Sequence, residues 1–222
     1  MKGKILFVVT SHEQLGNTGK KTGYFLSEVT HPWSVLGEKY DIDVVSPKGG
    51  RPPVDGFDLS DPINRKYWDS TEWQNKMSTT MTPDEVDPSQ YKAIYYAGGH
   101  GAMWDFPDNE RLAEIAAQIY ENGGIVSAVC HGPAGLLNIK HPDGIRLVKG
   151  KRLDSFTDAE EVANGTSKIM PFMLQTALES EGAVFDAATP WSDHIVVDGR
   201  LITGQNPMSA LSVGKAILDT LK

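Results

Sequence analysis

Short apolar runs rich in Val and Ile recur along this chain, separated by longer stretches whose apolar positions return every three or four residues. Such runs read as strands buried on both faces, and the longer period reads as amphipathic helix. The runs fall at 5–9, 42–46, 93–97, 125–129 and 183–186. Between the third and fourth, Leu112, Ile115, Ala116 and Ile119 share one helical face, with Asp108 or Asn109 placed to cap the start and Gly123 the end. A helix between two strands is a βαβ crossover, so the pattern predicts an α/β fold: a mostly parallel sheet with helices on both faces. Further helices are expected at about 171–180 and 208–221, and "HIVVDGRLITG" reads as a hairpin turning at Asp198–Gly199. Residues 48–87 break the alternation, with weak periodicity, Pro52, Pro53, Pro62 and Pro83, and the aromatic cluster "YWDSTEW". That stretch is too aromatic for a linker and reads as an insertion packed over one edge of the sheet.

Composition narrows the function. With 222 residues and 40% hydrophobic content, the chain can bury one sizeable core, and one domain over 1–222 is expected. Acidic residues outnumber basic ones 29 to 21, which argues against a nucleic-acid partner. The N-terminal apolar run is too short for a signal peptide and no stretch is long enough to span a membrane, so a soluble, cytoplasmic protein is expected. A single cysteine excludes an internal disulfide and a cysteine-rich zinc site.

That cysteine, Cys130, stands where the apolar run 125–129 stops and "CHGP" opens a turn. In a parallel sheet, ligands gather at the carboxyl ends of strands. A thiol there, followed by a helix start and a histidine, His131, has the layout of a nucleophile elbow, in which the helix dipole stabilises a thiolate. A small cysteine filling a core gap is the alternative on this segment alone. The preceding strand ends in "AGGHG", where Gly99 and His100 are candidates for oxyanion and substrate binding, against the plainer reading of a tight turn. Glu28 sits among Phe25, Leu26, Val29 and Trp33, where burial would raise its pKa and make it a proton shuttle. On local sequence a solvent-facing glutamate is the commoner outcome. His12, His31 and His100 with Glu28 lack the spacing of a metal signature, and no metal is expected. "GNTGKKT" fails as a phosphate loop because Gln14 and Lys21 occupy two required positions, and "GHGAMW" fails as a dinucleotide fingerprint at Trp104. No cofactor is expected.

"SEVTHPW", "AGGHGAMWDFP", "NGGIVSAVCHGPAGL" and "WSDHIVVDGRLITGQNPMSA" together resemble the PfpI/ThiJ superfamily of class I glutamine amidotransferase-like proteins over essentially the whole chain. With Glu28 and the 68–81 region, the resemblance is to the branch of glutathione-independent glyoxalases (glyoxalase III, or D-lactate dehydratases), some of which are described as holdase chaperones. It implies a flavodoxin-like or Rossmann-like sandwich, a small 2-oxoaldehyde substrate, a homodimer, and Cys130, His131 and Glu28 as the catalytic set. It also implies backbone N–H groups of Gly99 and His131 as oxyanion donors, and a third triad member within "SFTDAEE". There Asp158, Glu160 and Glu161 all qualify, with Asp158 preferred. A cysteine amidase or peptidase, a thiol-based stress sensor and a holdase chaperone remain alternatives on the same fold.

Overall fold

Ile5, Phe7 and Val9 point to one face of the first apolar run and Leu6 and Val8 to the other, and all five are buried. A strand with no solvent-facing side needs cover on both faces, which helical crossovers supply. The computed structural model describes residues 3–222, so the first two residues of the expected 1–222 domain lie outside the described residues. In chain order the strands are β1 (Lys4–Val8), β2 (Tyr24–Phe25), β3 (Asp41–Val45), β4 (Val54–Asp55), β5 (Tyr91–Tyr96), β6 (Ile125–Val129), β7 (Arg152–Leu153), β8 (Val184–Phe185), β9 (Ile195–Asp198) and β10 (Leu201–Gly204). The helices are α1 (Leu26–Leu36), α2 (Pro62–Trp68), α3 (Thr71–Ser78), α4 (Ala102–Asp105), α5 (Glu110–Glu121), α6 (Asp158–Ala163), α7 (Leu174–Ser180) and α8 (Ala210–Thr220).

Six strands make one sheet in the order β3-β1-β5-β6-β10-β9, parallel except for the β9–β10 pair. On one face Val29 and Trp33 of α1, Trp73 and Met77 of α3, and Val213 and Ile217 of α8 join the core. Leu112, Ile115 and Ile119 of α5 and Leu174 and Leu178 of α7 join it on the other. The result is the flavodoxin-like α/β sandwich. Its parallel order brings the carboxyl ends of β1, β5, β6 and β10 to one edge.

The run at 183–186 does not enter this sheet. Only Val184 and Phe185 form a strand, Val184 is exposed, and β8 pairs with β7 alone. Its place beside β6 goes to β10, whose residues are all buried. In the hairpin, Asp198 pairs with Leu201, so the loop residues are Gly199 and Arg200 rather than Asp198–Gly199. Gly199, at φ +61°, suits the first position of a two-residue hairpin loop. Asp198 instead accepts hydrogen bonds from Lys151 Nζ and the Arg152 N–H. Within residues 48–87, α2 and α3 have only seven and eight residues, too short to show a clear period, and each starts on a side-chain cap, Asp61 and Ser70. Trp73 and Met77 bury against Ile42 and Val44 of β3, and Met81 hydrogen-bonds along that strand's free edge.

Candidate active site

At the end of β6, Cys130 adopts φ +60°, a left-handed conformation uncommon for any residue but glycine. The chain is held there from both sides: the Cys130 N–H donates to Gly204 O at 2.9 Å, and its carbonyl accepts from the Phe156 N–H at 2.8 Å. Backbone strain kept in place this way is the geometry of a nucleophile elbow. The thiol is buried, and the backbone N–H groups of Gly99 and His131 point at its sulfur. Gly99 is at φ +99°, and a Cβ there would lie 2.1 Å from Gly23 O, so no larger residue fits this turn. The expectation that a helix dipole acidifies Cys130 does not hold. The segment after it is a 3-10 turn of five residues, Gly132–Leu136, and burial pushes the thiol well up, helped by Glu28, against the pull of the two N–H groups.

Glu28 reaches this sulfur from the first turn of α1. Pro32, inside the helix, has no N–H to bond the carbonyl four residues before it. That carbonyl belongs to Glu28, and the Tyr95 hydroxyl donates to it at 2.6 Å, pinning the turn over β5. The Gly98 N–H donates to Glu28 Oε2 at 2.7 Å, while Oε1 has no hydrogen-bonding nitrogen or oxygen. Burial pushes the Glu28 carboxyl up to about 8, with the Cys130 thiol and the Gly98 N–H opposing it. A buried acid facing a buried thiol is thus the core of the site.

His131, also buried, lies with Nδ1 3.4 Å from Cys130 Sγ and Nε2 2.7 Å from Glu161 Oε2. Burial lowers the His131 pKa although Glu161 opposes it. In the neutral ring, an Nε2–H donated to Glu161 leaves Nδ1 free to accept the thiol proton. Burial alone would raise the Glu161 pKa, but hydrogen bonds from His100, His131 and Thr166 hold it well below the usual carboxylate range. His100 Nε2 stands 3.5 Å from Glu161 Oε1, which also accepts from the Thr166 hydroxyl. The rings of His100 and Phe156 each lie with their centroid 4.5 Å from that of His131.

The model of the DJ-1/PfpI family matches residues 21–220. The chain belongs to the DJ-1/PfpI family. It is 34% identical over 228 residues to Glyoxalase 3 of Candida albicans, covering 97% of each chain. To the glutathione-independent glyoxalase HSP31 of Saccharomyces cerevisiae it is 35% identical, covering 99% of this chain and 98% of the yeast protein. Among solved structures, the Rapid Encystment Protein 24 kDa of Francisella tularensis superposes with a TM-score of 0.95 at 37% identity, covering 99% of both chains. Glyoxalase III from Candida albicans superposes at 0.90 and 32% identity, covering 98% and 97%.

In this DJ-1/PfpI chain Cys130, His131, Glu28, Gly99 and His100 come together as the sequence suggested. Asp158 does not. Its carboxylate accepts from Thr176 Oγ1 on α7, and the carboxylate on His131 is Glu161. Thr157 caps α6 and closes a capping box with Glu160, which makes Asp158 the first residue of the helix and turns it away from the site. The histidines considered with Glu28 also disperse: His12 stacks on Trp104 and His31 bonds Asp61. The donors that do converge are those of His100, His131 and Glu161, all within 4.8 Å of one another. Sequence reasoning missed Tyr95, Phe156 and Thr166. Only the Thr-x-x-Glu spacing at 157–160 carried a readable signal, since it marks Glu160 as a capping partner.

Proposed function

We propose that this chain is a glutathione-independent glyoxalase converting 2-oxoaldehydes such as methylglyoxal to 2-hydroxy acids such as D-lactate. The observation that carries the reading is the pairing of its one thiol with a buried Glu28, whose pKa of about 8 suits both taking and giving a proton near neutral pH. Relatives named as glyoxalases, similar over nearly their whole length, supply the reaction class.

Cys130 Sγ adds to the aldehyde carbon as its proton passes to His131 Nδ1. The developing alkoxide lies beside the Gly99 and His131 N–H groups and takes up the proton, giving a hemithioacetal. Glu28, in its ionised form, removes the hydrogen on C1, and the electron pair moves to give an enediolate; the hydroxyl proton passes from the C1 oxygen to the C2 oxygen, and Glu28 returns its proton to the C2 carbon. The result is a thioester of the 2-hydroxy acid, which water cleaves to release the acid and restore the thiol. Glu161 keeps the His131 ring in the tautomer and orientation that accept from sulfur. The reading also takes residues 1–222 as one catalytic domain with its insertion at 48–87, working as a cytoplasmic homodimer. Its support is the family resemblance.

The test is D-lactate formation from methylglyoxal without glutathione. Wild type should turn over, Cys130→Ala should not, and Glu28→Gln should fall by about 10²-fold or more. Wild-type protein that is purified under reducing conditions and forms no D-lactate would sink the reading. Hydrolysis of amide substrates would then point to the amidase alternative.

A further inference from the structure

Trp191 is the outlier in the loop between β8 and β9. Apart from Cys130 it is the one non-glycine among the described residues with positive φ, +67°, and at 43% exposure it leaves a large indole at the surface. Neither is favoured by itself: the left-handed conformation is strained for a bulky residue and persists where the surroundings over-determine it. Here they do. The Trp191 N–H donates to Glu160 Oε1 at 2.7 Å, and the same oxygen accepts from Gln205 Nε2 and Asn206 Nδ2. Asn206 Nδ2 also donates to Ser192 O, and the Ala188 N–H donates to Gln205 Oε1. The loop is thus tied to the end of β10 and to the helix that carries Glu161.

The indole has a direction as well as an anchor. Its centroid lies 5.5 Å from that of Phe156, edge to face, and Phe156 packs on His131 beside the backbone of Cys130. We propose that Trp191 is a specificity-determining residue: its ring forms the outer wall of the path to Cys130, limiting the size of the group attached to the 2-oxoaldehyde. Nothing in the hydrogen transfer needs this ring, and its strained anchoring, partial exposure and contact with Phe156 are explained by that role. The proposal rests on the glyoxalase reading for its substrate but not for its geometry.

Cys130 is the chain's single cysteine, so alkylation reports on this path alone. The rates of Cys130 modification by iodoacetamide and by fluorescein-5-maleimide are compared in wild type, Trp191→Gly and Trp191→Phe, with circular dichroism confirming the fold. Glycine accepts φ +67° without strain, so Trp191→Gly removes the ring and keeps the turn. The ratio of maleimide to iodoacetamide rate should rise about tenfold or more in Trp191→Gly and less in Trp191→Phe. In parallel, kcat/KM for phenylglyoxal relative to methylglyoxal should shift by a similar factor. Unchanged ratios in both folded variants would overturn the proposal. If wild type turns over no 2-oxoaldehyde, the glyoxalase reading fails while the alkylation ratio still decides whether Trp191 walls the path.

Discussion

Replacing Glu28 by Gln tests the electrostatics of the site through stability before any reaction is run. The unfolded chain releases the Glu28 proton near pH 4.5, whereas burial holds it in the folded protein up to about pH 8. Between those values the folded state binds one more proton than the unfolded state, so wild type loses stability as pH rises, by about 1.4 kcal/mol per pH unit. Glutamine has the size of the protonated acid and does not titrate, so the variant escapes this loss. Other groups cancel in the difference, and Cys130 titrates above the window. From pH 5 to pH 8 the stability of Glu28→Gln relative to wild type should therefore rise by about 3–4 kcal/mol. The assay is urea unfolding followed by tryptophan fluorescence at pH 5, 6, 7 and 8. The fixed effect of exchanging hydroxyl for amide sets the offset at pH 5, and only the slope is at issue. A difference that is flat with pH, or one that favours wild type as pH rises, would show that Glu28 is ionised in the fold and refute the assignment.

The geometry sets three further outcomes. Glu161→Gln should lower kcat for methylglyoxal by about 10²-fold or more, as the charged partner of His131 is lost, while Asp158→Asn should stay within about twofold, both read by D-lactate formation. Gly99→Ala should cost more than about 3 kcal/mol, because its Cβ meets Gly23 O in a left-handed turn, and should lower Tm by about 6 °C or more in a thermal melt. Glu160→Ala should cost about 3–5 kcal/mol in urea unfolding, since Thr157, Trp191, Gln205 and Asn206 all donate to that buried carboxyl group and would lose their acceptor.

The legible and illegible parts of the chain divide along a physical line. Strands buried on both faces are legible because their apolar runs need no partner to be recognised, and Cys130 is legible because a polar turn ends such a run. Glu28 stands out by its apolar neighbours, which foretell the raised pKa. The third carboxylate is different: Asp158, Glu160 and Glu161 crowd into four residues, and the choice depends on where α6 begins and which way its first turn faces. The cap on Thr157 settles that, and a one-residue change in the start would rotate every side chain by about 100°. The thiol's direction of shift is misread from sequence because a strand followed by "HGPAG" resembles a helix start, whereas the chain makes a short 3-10 turn and burial prevails. The contact between Glu160 and Trp191 spans 31 residues and leaves no local trace.

The surroundings of Cys130 have a kinetic consequence. Its backbone is held by Gly204 and Phe156, and its sulfur is covered by Glu28, Gly99 and His131. Apart from His131, its neighbour in sequence, those residues come from four separate regions of the chain, from the first helix to the last strand of the sheet. Non-local contacts of this kind form slowly, because long loops must close before any of them stabilises the product. The surroundings of the thiol are therefore complete only when α1, β5, β6 and β10 have all docked, and its protection from reagents during refolding should report completion of the sheet rather than its beginning.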